Sequence, residues 1–509
     1  MKLFSVHIII ALLLFFIVAK GQSDSNKLDF AITIESDSIT KAELLDSISS
    51  VANVYFSYNP ILLEADKLIK PQYVNATIFS IIIDIIDQEK LGFHALDNQI
   101  ILYPLKIEKK ETEQEPVFKT IRGHVSDVKK EESIPFCNIL ILGKGKGTIS
   151  NLDGNFSVKI SNDYFNDTLR FSCIGYIPYD IPIKNIGDSA LNIVLDKTVY
   201  NLSSVNVVYY DPKEVLDRFF EKIYNNYEKD YTLLTSFYRE TIKENSNYTD
   251  VSEAVLHILK APYNNGFRDD LVKFVKGRKS SDVQPYDDIK FRLKGGPYYI
   301  TKLDVVKNEE SFINKEFSHL YVYNYERRTL IAGRPSVVIS FSPIYNLRDI
   351  LYEGVLYFDI ETWALSRVEF NYTKQGLKEA RRMMIEKEPK EFKAIPSELA
   401  YTVQYGLFEG KWYLLSAQSS MQIKLINREK KQKTKFNSTS EILITDIEKG
   451  DFQRFSRNEI FKPSEFFTEK IVTYDQGFWE NYNIIEPEEE LEHAIKNFEN
   501  HDMIITNKQ

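Results

Sequence analysis

The sequence predicts a multidomain chain, part α+β and part all-β. Three observations predict it. A strand–helix–strand unit occurs twice between residues 28 and 105. Short alternating runs separated by turn residues fill 118–208, and longer alternating runs dominate 210–480. The expected organisation is a signal peptide at 1–21, a small two-repeat βαβ domain at 28–105 and a linker at 106–117. A β-sandwich at 118–208 and a large antiparallel β-rich domain with flanking helices at 210–480 follow, and a C-terminal helix and tail at 481–509 close the chain. The length agrees, since 509 residues at roughly 150 per domain give about three domains.

Composition narrows the class. With 43% hydrophobic residues, 31 Tyr and 33 Phe, the chain has material for β-rich cores and is not disordered throughout. A net charge of −9 argues against a nucleic-acid partner, because phosphate binding needs a basic surface. Two cysteines build neither a disulfide framework nor a four-cysteine zinc site.

Met1-Lys2 gives a short positive start, and Leu3 to Ala19 is apolar apart from Ser5 and His7. Ala19 and Gly21 then place small residues three and one positions before Gln22, so cleavage is expected between Gly21 and Gln22, with an uncleaved anchor helix, for which the 17-residue apolar run is marginal, as the alternative. No cysteine follows to carry a lipid, and no later stretch approaches the roughly 18 apolar residues of a spanning helix. An exported protein is expected, in the periplasm or associated with the outer membrane.

In the first repeat, Phe30 to Ile34 reads as a strand and Thr40-Lys41-Ala42-Glu43 as a capping box. Leu44, Leu45, Ile48, Val51 and Ala52 follow at helical spacing, and Val54 to Ser57 returns as a strand. In the second, Gln72 to Val74 is the strand, Thr77 the N-cap, and Ile78, Ile81, Ile82 and Ile85 one helical face. Gly92 is read as the helix C-cap, and Phe93 to Leu96 pairs with Gln99 to Leu102 across Asp97-Asn98. The segments ITIESDSITKAELLDSISSVANVYFSYN and VNATIFSIIIDIIDQEKLGFHALDNQIILYP resemble the secretin and TonB short N-terminal domain. That resemblance implies a non-catalytic periplasmic docking module. Lys106 to Pro116, charged and apolar-poor, reads as a linker.

Ile121 to Val125, Phe136 to Leu142, Asn155 to Ile160, Leu169 to Cys173 and Leu191 to Leu195 are the sandwich strands. The pattern IRGHVSD, IPFCNILILGKGKGTISNLDGNFSV and LRFSCIGY resembles the carboxypeptidase-regulatory-like domain of Bacteroidetes envelope proteins, an Ig/transthyretin-like β-sandwich. Cys137 stands where that family has a small residue, Asn151 replaces an acidic one, and Leu202 to Val208 resembles its closing strand. GKGKGT lacks phosphate-loop spacing and reads as a hairpin turn, and Asp153-Gly154-Asn155 lacks the closing acid of a calcium loop. Cys137 and Cys173 sit on strands of an exported chain, so they either form a disulfide or are two separately buried thiols.

Within 210–480, Asp211-Pro212 opens a helix with Val215, Leu216, Phe219, Ile223 and Tyr224 as its stripe. Strands are expected at 233–243, 251–260, 336–342, 355–360, 364–371, 398–407, 411–422 and 436–446. The hairpin GVLYFDIETWALSRVEF resembles one in lipoprotein-carrier-like half-barrels, which implies a sheet cupping an apolar ligand. The stretch from FYRET to FWENYNIIEPEEELEHAI resembles the C-terminal region of Bacteroidetes proteins with the same sandwich, a family that supplies no activity.

None of the seven histidines lies in an H-E-x-x-H setting and no Gly-x-Ser-x-Gly elbow occurs, so catalytic and metal residues are not assigned and no cofactor is expected. Arg239, Glu240 and Glu253 are a candidate cluster on adjacent strands, either binding a polar ligand or forming a cross-strand ion pair. Lys294-Gly295-Gly296-Pro297 reads as a loop corner. Arg428 to Lys435 reads as a solvated basic turn, Arg381-Arg382-Met383-Met384 as a flap, and Pro487 to Phe498 as an acidic helix strapping the sheet. The expected function is a non-enzymatic envelope adaptor or binding protein whose partners are TonB-dependent transport or signalling components. A lipid or glycan ligand is the accompanying expectation. A periplasmic carrier of an apolar ligand in the C-terminal half-barrel is the alternative, and a hydrolase would need a site the sequence does not offer.

Overall fold

The computed structural model describes residues 13–16, 27–58, 60–87, 91–96, 99–104, 118–129, 132–198, 209–264, 268–281, 290–293, 296–308, 312–344, 352–384, 391–467, 479 and 482–495. The cleavage positions Gly21 and Gln22, the linker 106–117, the Asp97-Asn98 turn and the closing segment 202–208 lie outside the described residues. Within the segment 1–21, expected to be a signal peptide, Leu13–Phe16 is a short strand paired with Lys290–Leu293. The chain divides into two units, 18–115 and a larger one that contains 116–509.

In unit 18–115 the apolar spacing and the caps set the elements. Strand β1 (Ala31–Glu35) leads to helix α1 (Lys41–Ala52). Thr40 caps α1 by accepting from the Glu43 N–H, while the Glu43 carboxylate accepts from the Thr40 N–H. Then come β2 (Tyr55–Ser57), β3 (Gln72–Thr77), α2 (Ile78–Ile85, capped by Thr77), β4 (Leu91–Leu96) and β5 (Gln99–Pro104). β1 pairs with β3, and the second sheet has the order β2-β5-β4. Gly92 is not a helix cap: α2 ends at Ile85, with Ile86 donating back to Ile82, and Gly92 lies within β4 opposite Tyr103. Leu44, Leu45, Ile48, Ile78, Ile81, Ile82 and Ile100 fill the core.

In the larger unit, the sandwich comprises β6 (Phe118–Asp127), β7 (Asn138–Ile141), β8 (Gly147–Ile149), β9 (Asn155–Ser161), β10 (Thr168–Ser172), β11 (Tyr179–Pro182) and β12 (Leu191–Leu195). One sheet has the order β8-β7-β10-β11 and the other β9-β6-β12. GKGKGT closes the β7–β8 hairpin, with Gly143, Gly145 and Gly147 at positive φ. The Asp153-Gly154 turn closes on Asn151, whose side-chain oxygen accepts from the N–H groups of Asp153 and Asn155.

The rest is organised by one ten-stranded antiparallel sheet. Helix α3 (Pro212–Asn226, capped by Asp211) precedes β13 (Thr232–Glu244), β14 (Asn247–Lys260), β15 (Leu271–Ser281), the short helix α4 (Gly296–Thr301) and β16 (Tyr321–Ile331). The remaining elements are β17 (Arg334–Pro343), β18 (Tyr352–Asp359), β19 (Leu365–Tyr372), α5 (Lys374–Met384), β20 (Phe392–Phe408), β21 (Lys411–Asn427) and β22 (Lys433–Lys449). The order is β15-β14-β13-β22-β21-β20-β19-β18-β17-β16, so the last strand closes onto the first. The stretch read as a flap is helix α5, tied down by Arg381 donating to the Ala394 carbonyl at 2.8 Å. Of the expected loop corner Lys294-Gly295-Gly296-Pro297, the first two residues lie outside the described residues, and Gly296-Pro297 begins α4.

One face of this sheet, the inner face, packs on α3, α4, Leu303, Val305, Phe312 and Ile313. The outer face receives the sandwich through small apolar clusters, among them Phe408, Tyr413 and Leu415 with Leu140. Ile331, Val338 and Tyr357 pack with Ile174, and Phe237, Val255 and Leu443 pack with Ile149. Among the described residues, no helix is long and apolar enough to cross a membrane.

Candidate functional site

Strand alternation decides which charged side chains meet. Arg239 and Glu253 are direct cross-strand partners on the outer face. Arg239 Nε donates to Glu253 Oε1 at 2.7 Å, Nη1 to Glu441 Oε1 at 3.1 Å and Nη2 to the Ile485 carbonyl at 2.6 Å. Arg278 Nε takes the second Glu253 oxygen at 2.6 Å. The lattice spans four neighbouring strands, and Arg239 and Glu253 are only 2% and 1% exposed. Burial would raise the Glu253 carboxyl, but the guanidiniums of Arg239 and Arg278 outweigh it and hold the carboxyl below its usual range. Both Glu253 oxygens are committed inside the fold, and removing one member of such a pair costs about 3–5 kcal/mol.

Glu240 does not belong to this cluster. One residue along β13, it points to the inner face, because side chains alternate with a period of two. There Tyr238 Oη donates to Glu240 Oε1 at 2.5 Å, and Gly296 packs so closely that a Cβ would strike both side chains. Burial pushes the Glu240 carboxyl up to about 8, which the tyrosine hydrogen bond only partly offsets.

A second charged lattice lies on the inner side. Lys260 Nζ bridges Asp270 at 2.8 Å and Asp304 at 2.5 Å, and Lys307 pairs with the other Asp270 oxygen. Tyr263 and Tyr405 donate to Asp304 at 2.7 and 2.8 Å. Burial would raise the Asp270 carboxyl, yet the two ammoniums bring it to about 2. Two lysines against two aspartates leave the lattice neutral, and it pins residues 301–307 to the sheet.

On the inner face, strands β17 to β20 carry a cluster of aromatic rings. Phe312 stacks on Phe341 at 4.4 Å and meets Phe370 at 4.9 Å, and Phe370 stacks on Tyr401 at 4.9 Å. Two cavities lie between sandwich and sheet. One cavity, of about 410 Å³, has Lys146, Lys159, His257 and Asp446 on its walls. Another, of about 280 Å³, is bounded by Asn138, Leu140, Leu142 and Arg170 of the sandwich. Its opposite wall carries Ile331, Leu407, Phe408, Trp412 and Leu415 of the sheet. A β-bulge shapes that wall: Gln404 pairs with Ser416 and Tyr405 with Leu414, so Leu415 is the extra residue. At the sandwich wall the Asn138 side-chain oxygen is buried with no hydrogen-bond partner.

With this geometry the sandwich can be placed in a family. Residues 121–207 match the CarboxypepD_reg-like domain. No curated protein matches the chain. Among solved structures it is similar to a LolA superfamily protein from Nitrosomonas europaea, at 12% identity over 48% of this chain and 96% of that one, with TM-score 0.19. It is also similar to MucB in complex with MucA (11% identity, 48% and 100% coverage, TM-score 0.15). A DUF1329 family protein from Desulfovibrio piger gives 9% identity, 48% and 96% coverage and TM-score 0.25. At such TM-scores none of the three defines a fold for this chain.

In the CarboxypepD_reg-like domain, Cys137 and Cys173 flank the Asn138–Ser172 pair of β7 and β10 as separate free thiols, one buried and one half-buried, which is one of the two arrangements the sequence leaves open. Burial pushes both thiols up, away from reactivity. Asn151, in the place of an acid, donates its side-chain N–H to the Pro487 carbonyl at 3.0 Å, a bond that a carboxylate could not make. Asn138 sits between Cys137 and Ile139 in an ordinary alternating strand, and its position at the floor of a cavity has no local signal. Among the described residues, no group of three or more His, Cys, Asp or Glu could hold a metal ion.

Proposed function

We propose that the protein is a non-catalytic adaptor or binding protein of the cell envelope, exported to the periplasm or the outer membrane and serving TonB-dependent uptake or signalling. The observation that carries this reading is the division of the chain into two units with separate cores. In the larger unit Arg239 and Arg278 pair with Glu253 and Glu441, and Lys260 and Lys307 with Asp270 and Asp304, while Glu240 stands apart from both lattices. Unit 18–115 leaves large apolar side chains exposed, with Val51, Tyr55 and Leu68 all above 60%. Surface of that kind suits a protein partner. The carrier alternative needs room under the strands from 351 to 426, and Phe312, Phe341, Phe370 and Tyr401 pack as a ring cluster on that face.

The test is purification from the native envelope, with and without residues 28–105. The intact chain should bring envelope proteins with it in fixed ratio, and the deletion should lose them. An unchanged set of companions after the deletion would remove the docking role. A stoichiometric apolar adduct in native mass spectrometry would favour the carrier.

A further inference from the structure

Opposite charges facing each other on neighbouring strands stabilise a sheet, and like charges placed there destabilise it. The outer face of the ten-stranded sheet obeys this at Arg239, which lies opposite Glu253 on one side and Glu441 on the other. At the end where β21 turns into β22 it does not: Lys424 lies directly opposite Lys435. Both lysines are exposed, and among the described residues neither ammonium has an ion-pair or hydrogen-bond partner. A repulsive pair built into an ordered ladder breaks a local rule without compensation inside the fold, and such breaks mark functional sites.

The pair belongs to a larger array. Alternation sends Ala394, Leu425 and Phe436 into the inner core, so their neighbours face outwards. These form two rows across β20, β21 and β22: Lys393, Ile426 and Lys433 in one, Ile395, Lys424 and Lys435 in the next. All four lysines are exposed, and the two isoleucines are half-buried between them. The connecting turn adds Arg428, Lys430 and Lys431. It is held by Asn427, whose side-chain oxygen accepts from the N–H groups of Glu429 and Lys430. Acids stand only at the borders, Glu391 and Glu429 at the strand ends and Glu398 opposite Gln422. Lys243, on the adjoining strand, is held by Glu490 at 3.2 Å. A chain of net charge −9 thus presents a dense group of cations at one end of a sheet face.

We infer that this end of the sheet docks on the surface of an anionic bilayer, with the lysine ammoniums at lipid phosphates and Ile395 and Ile426 turned toward the headgroup layer. Neighbouring strands lie about 4.8 Å apart, so three of them spread the cations over roughly 10 Å of open sheet face. That surface meets several headgroups at once, whereas one small anion would reach only part of it. Each basic residue close to an anionic membrane strengthens attachment about fivefold, and the attraction fades within about 10 Å at 0.1 M salt. The docking needs a bilayer at hand, as the envelope reading supplies, and nothing from residues 28–105.

The test is flotation of the purified chain from Gln22 onward, the expected mature protein. The vesicles are phosphatidylcholine alone, or phosphatidylcholine and phosphatidylglycerol in equal parts. Binding to the anionic vesicles alone is expected at low salt, with its loss at about 0.5 M salt. Lys424→Gln combined with Lys435→Gln should weaken that binding about twentyfold. Lys435→Glu puts an ion pair where the repulsion stood, so its thermal stability should hold or rise while vesicle binding falls. Equal binding to both vesicles, no binding to either, or binding unchanged in the double variant overturns the inference. Lysine-dependent binding to soluble polyphosphate without binding to vesicles also overturns it, in favour of a soluble polyanion. None of these results touches the co-purification of envelope proteins through residues 28–105, and loss of that role would leave flotation unchanged.

Discussion

Glu240 shows how a single residue's face on a strand sets its chemistry. Its neighbour Arg239 enters a lattice of opposite charges, whereas Glu240 lies against Tyr238 and Gly296 with burial as the dominant influence. The sequence shows Arg239 and Glu253 as candidates to pair across adjacent strands, but joining Glu240 to them ignores the alternation that sends it to the other face. With its folded value at about 8, above the value near 4.5 of an unfolded glutamate, the folded state binds the proton more tightly. The stability this contributes is fully present below about pH 4.5 and declines up to about pH 8, by an amount on the order of 4 kcal/mol. Glu240→Gln keeps the shape of the neutral acid and has no proton to lose. Its denaturant-derived stability should therefore fall less than that of wild type between pH 5 and pH 8. Parallel curves for the two proteins would show that Glu240 does not titrate in that window.

At the scale of elements, the C-terminal segment is the clearest case of a role that sequence shows only by halves. The acidic helix is legible, and residues 489–495 are helical. Its other contact is not, because the partners are over three hundred residues away. Thr148 donates to the Ile484 carbonyl at 2.6 Å, Lys159 N–H donates to Asn483 Oδ1 at 2.7 Å, and the Asn483 amide returns a bond to the Lys159 carbonyl. On the sheet side, Trp479 meets Phe237 edge-on at 5.5 Å, and Ile485 accepts from Arg239. The segment thus satisfies sandwich and sheet together. Deleting residues 479–509 uncovers Phe237, Val255 and Leu443 and leaves Arg239 with one acceptor fewer, a loss of about 3 kcal/mol or more. Calorimetry should then show a separate, lower-temperature transition for the sandwich. A profile identical to that of the intact chain would mean that the apolar clusters alone hold the two sheets together.

At the scale of the whole molecule, legibility follows the range of the interactions. Capping boxes, turn residues and two-residue alternation act within a few positions, so α1, α3, the start of α2 and several strands appear in the sequence close to their observed limits, while the end of α2 does not. The pairing of β13 with β22 joins positions about two hundred residues apart, and nothing local encodes it. β15 and β16 escape notice because they are the sheet's edges, where exposed charges such as Arg327 and Arg328 interrupt the apolar period. Unit 18–115 is the opposite case, since its structure rests on local signals and a core drawn from its own residues. Leu44, Ile48, Ile78, Ile81 and Ile82 are fully buried within it, and α1 and α2 carry their own N-caps. A domain of this size is marginal but large enough to fold alone. Residues 22–115 expressed by themselves should therefore unfold in one cooperative denaturant transition, followed by circular dichroism. Leu44→Ala should lower the stability by about 2–5 kcal/mol, the cost of a core cavity. A gradual, non-cooperative curve for the isolated segment would show that its fold depends on residues beyond 115.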